Sequence, residues 1–333
     1  MNLTALGLGG DETAGRIRLF STGFIPAAMR DRAPLIWVFM LFLAVQLSAL
    51  ALAPFYPSDY GAFPDQNDPV NPLLYVGMLI LMTGLILLLI RLGLQQVIKI
   101  IFLLAVATTS IFVFLPLVYQ VLPDVDLAML ASLILGIGLV AALLLKPEWY
   151  VINLVGFVVG CGAAIVLGIS FGILPVLILL VILAVYDAIS VYKTKHMLAL
   201  ADGVVPLRLP VLFVVPKEKD FSMDSLQQKS ITEQPAEERG AMLMGVGDAV
   251  IPAILTVSVF LSLPTESASF QYANLLVAIG TLLGSCVGFF VLMRYVMKGR
   301  PQAGLPLLNG GAIIGFMLAY LLVFQDLSFG IVI

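Results

Sequence analysis

Apolar runs of about twenty residues, separated by short polar breaks, repeat along nearly the whole chain. A helix that crosses a bilayer needs roughly 20 mostly apolar residues, so each run predicts a spanning helix. Nine runs meet that test: Leu35–Ala53, Leu73–Ile90, Ile100–Leu122, Leu127–Leu145, Trp149–Gly168, Ile173–Tyr192, Ala241–Leu263, Tyr272–Tyr295 and Leu305–Phe324. Only "PDVD", Pro123–Asp126, separates the third from the fourth, which predicts a tight antiparallel hairpin. The one long polar break runs from Lys193 to Gly240. Within it, "VLFVV" at Val211–Val215 lies between Pro210 and Pro216. Flanking prolines oppose a helix, and β-branched and aromatic residues favour a strand. The pattern therefore predicts an all-α polytopic membrane protein with nine transmembrane helices and one membrane domain. Its parts are segment 1–33, six spans over 34–192, a loop over 193–240 and three spans over 241–333. No convincing internal repeat divides it.

Composition supports lipid as the solvent of this fold. Hydrophobic residues make up 61% of the 333 and charged residues 11%, against about 25% charged in a soluble domain. Mean hydropathy is +1.10. No dense basic stretch suggests nucleic acid, and the N-terminus lacks the basic-then-apolar order of a cleaved signal peptide. Cys161 and Cys286 lie in apolar spans and form no CxxC pair, so both are expected as small buried hydrophobes rather than as a disulfide or zinc ligands. The basic residues set an orientation. In a nine-span topology all 17 Lys and Arg fall on one side, while the opposite loops carry only acids such as Asp59, Asp65, Asp68, Asp124, Asp126 and Glu266. By the positive-inside rule the N-terminus is cytoplasmic and the C-terminus external, in the cell membrane.

Candidate chemistry resides in two carboxylates. Of 20 acidic residues, Asp187 and Asp248 alone lie clearly inside predicted spans. Asp187 precedes Lys193 by six residues, roughly 9 Å of helix, and Asp248 follows Gly240 by eight, roughly 12 Å. Both thus lie at similar depth from the same side, on consecutive antiparallel spans. A carboxylate in lipid is costly and is kept by function or by a structural hydrogen bond. Two carboxylates a few ångströms apart cannot easily both ionise, so such a pair shares one proton. The ionised member can take a proton from water while the protonated member polarises a carbonyl, which is general acid–base hydrolysis of an amide. That chemistry needs no metal and no cofactor. Gly245 and Gly247 flank this aspartate on its N-terminal side. They would let another backbone approach and would weaken the helix there, or would serve ordinary helix packing. Tyr186 would hydrogen-bond near the pair or pack at a helix interface.

These residues carry a resemblance. Tyr186-Asp187, followed by "GVGD" at Gly245–Asp248, resembles the Tyr-Asp and Gly-x-Gly-Asp motifs of the presenilin and signal peptide peptidase family of intramembrane aspartyl proteases. "GDAVIP", Gly247–Pro252, is most similar to the signal-peptide-peptidase branch, and the compact chain looks like an archaeal-type homologue. The family's Pro-Ala-Leu motif is met in part by Ala303-Gly304-Leu305-Pro306, where Leu305 and Pro306 match and the first two positions depart. The resemblance implies a nine-span presenilin-like fold and cleavage of substrate transmembrane helices in the bilayer. It also implies Asp187 and Asp248 as catalytic residues. It leaves room for a homo-oligomer. From the residues alone the run Val211–Val215 either forms a strand that pairs with backbone just before Gly245 and accepts an unwound substrate at its own edge, or is a loop that lies on the membrane surface.

A different class of function also uses paired membrane acids: a proton- or ion-coupled transporter. The missing repeat and the scarcity of polar residues in the spans, Gln46 and Asn309 among them, count against it. A serine or zinc membrane protease fits poorly. The single histidine, His196, lies just outside the sixth span, and no HExxH occurs. A prepilin-type peptidase would carry a more polar sequence after its aspartate than "AVIPAIL". A scaffold without catalysis leaves the two acids unexplained.

Overall fold

The computed structural model describes residues 33–56, 60–194, 209–217, 221, 223, 240–297 and 302–331. All of the N-terminal segment but Ala33, and most of the loop between the sixth and seventh spans, lie outside the described residues. Among the described residues the chain forms α1 (Ala33–Leu52), α2 (Asn71–Arg91), α3 (Gln95–Tyr119), α4 (Val125–Leu145), α5 (Trp149–Ser170) and α6 (Ile173–Ile189). Strands β1 (Leu212–Pro216) and β2 (Ala241–Gly245) follow, then α7 (Val246–Ser262), α8 (Ala273–Val296) and α9 (Leu305–Phe324). Nine helices are thus described, as the apolar pattern predicts. Asp124 caps α4 by accepting the Leu127 N–H at 3.0 Å, which fixes the α3–α4 hairpin.

The seventh span departs from expectation. An unbroken helix over Ala241–Leu263 was the reading of the apolar run, but its first five residues are β2 and the helix holds only 17 residues. The backbone turns at Gly245, which is extended at φ −61°, ψ 134°. Two glycines within three residues make helix initiation upstream unfavourable, and β1 offers backbone partners along the whole of β2. The strands pair antiparallel with Phe213 opposite Met244 and Val215 opposite Met242. The expected pairing of the Val211–Val215 run with the backbone before Gly245 is therefore present, shifted by one residue.

The register decides which edge is open. Val246 N–H donates to the Val211 carbonyl at 3.0 Å and Lys217 N–H to the Gly240 carbonyl at 2.9 Å. Residues 211, 213, 215 and 217 therefore face β2 with their backbone groups, and Val214 faces away. There Asn153 of α5 takes both groups: its Oδ1 accepts the Val214 N–H at 2.7 Å and its Nδ2 donates to the Val214 carbonyl at 2.8 Å. The outer side of β1 is thereby closed, contrary to the expectation that a substrate would add there. On β2 the outward groups belong to Ala241, Leu243 and Gly245.

Helices α5, α6 and α7 make up the interior, with α8 and α9 beside them. Lipid removes the hydrophobic drive between helices, so close packing depends on small residues. Gly156 and Gly160 of α5 face Val246 and Val250 of α7, where a methyl would come within 3.2–3.4 Å. Gly284 and Gly288 of α8 meet the backbone of Gly311, Gly315 and Leu307 on α9, so any side chain there would force the helices apart. Cys161 and Cys286 are buried free thiols. By contrast α2 lies at the periphery, its apolar side chains exposed to the surroundings.

Candidate active site

Three helix ends converge at the site. α6 and α7 pack on each other, and α9 packs on both. Asp187 lies two residues before the end of α6 and is 5% exposed. After Ile189 the chain widens into a π turn over Ser190–Thr194, a deviation that often marks functional positions. Asp248 is the third residue of α7, half-buried, in the turn that begins where β2 ends. The depth read from helical rise alone is thus replaced. Asp248 reaches its level through a strand and a first helical turn.

The start of α9 lies against both carboxylates. Leu305 N–H donates to Asp187 Oδ2 at 3.0 Å, and the Gly304 N–H also faces that carboxylate. The preceding N–H, of Ala303, donates to the Tyr192 hydroxyl at 3.4 Å. Three consecutive N–H groups are therefore held by α6 and its π turn. Such groups have no intrahelical partner at a helix start, which makes them ready donors to an anion. Pro306, next in the first turn, needs no N–H partner there. Asp248 also lies beside Gly304. A β-carbon built on Gly304 would stand 3.6 Å from the Asp248 carboxyl carbon, and one on Gly245 would stand 3.2 Å from its Oδ2. The Gly245 N–H faces the Asp248 carboxylate, and the two aspartates lie within each other's electrostatic field.

The sequence-nominated residues separate here. Asp187, Asp248, Gly245 and Leu305 come together with Gly304. Tyr186 is half-buried, one residue and about 100° round the helix from Asp187. Gly247 differs from expectation: it is exposed, and a methyl there would meet nothing within 4 Å. Among the described residues no backbone approaches its missing side chain, which leaves space beside Asp248. Among the described residues no group of three or more His, Cys, Asp or Glu could hold a metal ion.

The sequence matches the family described as signal-peptide peptidase, presenilin aspartyl protease over residues 39–325. The chain belongs to that family. Two solved structures of a presenilin family intramembrane aspartate protease, in C222 and P2 space groups, are similar in fold. The first aligns at 35% identity and a TM-score of 0.63, covering 87% of this chain and 99% of that one. The second aligns at 36% identity and a TM-score of 0.61, covering 88% and 99%. No match was found among the curated proteins. This presenilin-family chain is accordingly a multi-pass intramembrane aspartyl protease, and the two-carboxylate site at its α6–α7–α9 junction is its candidate active site.

Reading the sequence missed Tyr192 and Asn153, which hold backbone at the site and under the hairpin. It named Asn309 only as a scarce polar residue. An asparagine within an apolar span is the available signal, because its amide must find partners away from water. Tyr192 gave no such signal, since a tyrosine at a span end also suits the membrane interface.

Proposed function

We propose that Asp187 and Asp248 act as a catalytic dyad that hydrolyses peptide bonds within or near transmembrane helices, with a water as nucleophile. The observation that carries this reading is that both carboxylates lie against the start of α9, Asp187 at the Leu305 N–H and Asp248 beside Gly304. Sharing one proton, the pair divides the work. The ionised carboxylate takes a proton from water as the water oxygen bonds to the scissile carbonyl carbon. The protonated carboxylic acid donates to the carbonyl oxygen. The tetrahedral diol then collapses: one diol hydroxyl gives its proton to the ionised carboxylate as the carbonyl re-forms, the C–N bond breaks, and the leaving nitrogen takes the proton of the other carboxyl group, so the pair again holds one proton. The opening beside Gly247 gives a substrate backbone access to Asp248.

A substrate helix hides its carbonyls in its own hydrogen bonds, and unpaired backbone in lipid costs several kcal/mol per group. The outer edge of β2 supplies replacements. Leu243 and Gly245 direct backbone groups away from β1, and Gly245 ends at the Asp248 carboxylate. An unwound segment added to that edge is delivered to the dyad. Leu305 and Pro306 bound the other side.

The basic residues at helix ends, Arg91, Lys99, Lys146, Lys193 and Arg294, share the hairpin's end of the bundle. With the positive-inside rule this supports a dyad toward the cytoplasm, with the N-terminus inside and the C-terminus outside. Substrate helices whose N-termini lie outside are then preferred. Labelling of single cysteines placed in Asp59–Asn71 from the cytoplasmic face alone would overturn this orientation.

The deciding experiment incubates purified protein in detergent with a transmembrane peptide and reads products by mass spectrometry. Wild type cleaves, whereas Asp187→Asn and Asp248→Asn each fall to background while remaining folded. Cleavage without any gradient also separates a protease from a transporter. Substantial turnover by either variant removes the dyad. Because one proton must be present on the pair, the rate rises and then falls with pH; a rate flat from about pH 4 to about pH 9 contradicts the mechanism.

A further inference from the structure

Asn309 lies one turn into α9 from Leu305, on the same face, and is 1% exposed. Its Nδ2 donates to the Leu180 carbonyl of α6 at 2.9 Å. Leu180 lies two turns before Asp187, again on the same face of its helix. α9 therefore grips α6 at two points: the Leu305 N–H on the Asp187 carboxylate and the Asn309 amide on the Leu180 carbonyl. The glycine seam with α8 holds α9 in the bundle but makes no directional bond to α6. Two points on one seam fix its rotation and its translation along α6 together.

The amide is an expensive way to pack two helices. Its Oδ1 is buried and finds no hydrogen-bond partner among the described residues. The assignment of oxygen and nitrogen is set by the neighbour, because the Leu180 carbonyl accepts and so must face the NH2. A leucine of similar shape would fill the space and leave no orphan acceptor. Helix contact alone therefore gives no reason for an asparagine here. What leucine cannot supply is the directional bond that sets the height of α9.

That height matters because the first turn of α9 lies against both aspartates. A shift of α9 moves the Leu305 and Gly304 N–H groups off Asp187 and changes the gap to Asp248. We propose that Asn309 is a positioning residue of the proteolytic site. Through its bond to the Leu180 carbonyl it fixes the first turn of α9 against Asp187, and so fixes the separation of the dyad. It touches neither substrate nor reacting atoms. This inference rests on the dyad reading above.

The test uses the full-length chain with Asn309→Leu. Misplacement by about 1 Å far from the chemistry can cost about a hundredfold in rate. The expected result is a fall in kcat of about 10- to 100-fold with KM within about twofold and thermal stability unchanged or raised. Hydrogen exchange of the peptide spanning Ala303–Asn309 speeds up by about tenfold, while exchange in α8 stays as in wild type. Wild-type kcat and unchanged exchange in Asn309→Leu overturn the proposal. So does a parallel fall of kcat and stability with unchanged exchange at Ala303–Asn309, which is the behaviour of a residue that only packs. If Asn309→Leu fails to fold, Asn309→Ser is read against the same outcomes, its hydroxyl being too short to reach α6. Should wild type cleave nothing, the protease reading fails, and the exchange arm still decides the clamp.

Discussion

Replacing Asn153 by leucine tests how far the hairpin governs activity. Asn153 and Val214 are 7% and 3% exposed, and the asparagine satisfies both backbone groups of that residue. Leucine keeps the approximate shape and removes both bonds. A buried polar group left without a partner costs about 1–3 kcal/mol, so two cost about 2–6 kcal/mol if they stay dry. At about 1.4 kcal/mol per decade that is a factor of about 30 to about 20,000 in the equilibrium for local opening. The lower figure applies if β1 swings out far enough to meet water. Because α8 and α9 are held by their own glycine seam, the loss is confined to the hairpin. The assay is hydrogen exchange by mass spectrometry on wild type, Asn153→Leu and a control, Ser132→Ala. Ser132 bonds only to the Ala128 carbonyl of its own helix, at 2.7 Å. Peptides covering Leu212–Pro216 and Ala241–Gly245 are expected to exchange at least about 30-fold faster in Asn153→Leu, and cleavage of a transmembrane peptide is expected to fall at least about tenfold. The control stays at wild-type values. If hairpin exchange in Asn153→Leu lies within about threefold of wild type and cleavage is unchanged, the argument that Asn153 holds β1 is refuted.

Gly304→Ala keeps activity, since its methyl reaches the Asp248 carboxyl at an ordinary 3.6 Å. Gly304→Val adds branches toward that carboxyl and toward Leu292, and its cleavage is expected to fall about a hundredfold in the peptide assay with the fold intact. Leu243→Pro removes an outward N–H from β2, so it loses at least about tenfold in cleavage while Leu243→Val stays near wild type; equal rates would argue against strand addition at this edge. Outside the membrane spans, Asp326 is held below the usual carboxylate range, first by the Ser328 hydroxyl and then by the Ser328 and Leu327 N–H groups and the Tyr320 hydroxyl. A carboxyl lowered by folding contributes stability above its unfolded value and loses it as pH falls through the folded one. The Gln325–Ile331 turn is therefore expected to keep full amide protection down to about pH 4, the ordinary range for Asp, and to lose it below that. Asp326→Asn should show the loss already at neutral pH, and protection factors for the Leu327 and Ser328 amides measure both.

The sequence by itself determined the solvent and the number of helices, and it singled out the candidate carboxylates. A run of about twenty apolar residues has few alternatives to a helix in lipid, because every N–H and C=O must be satisfied within the segment. An aspartate in such a run stands out for the same reason, so Asp187 and Asp248 were legible without coordinates. The strand at Val211–Val215 was legible in its flanking prolines and β-prone residues, and its pairing with the backbone before Gly245 was one of two readings the pattern left open. Tertiary structure alone decided how these pieces face one another. Apolarity has no direction in lipid: an exposed leucine on α2 and a buried one on α7 read alike, so the pattern could not say which faces meet. Nor could it end the seventh helix at Val246, since Ala241–Gly245 is apolar enough for a helix and becomes a strand only because β1 lies beside it. Hydrogen bonds between distant residues had no trace in local pattern either. Asn153 closes β1 from 61 positions away, and Leu305 reaches Asp187 from 118. These contacts close the outer side of β1 at Val214 and set the start of α9 against Asp187. They arise from directional bonds across helices, whereas the sequence pattern records only which residues lipid tolerates.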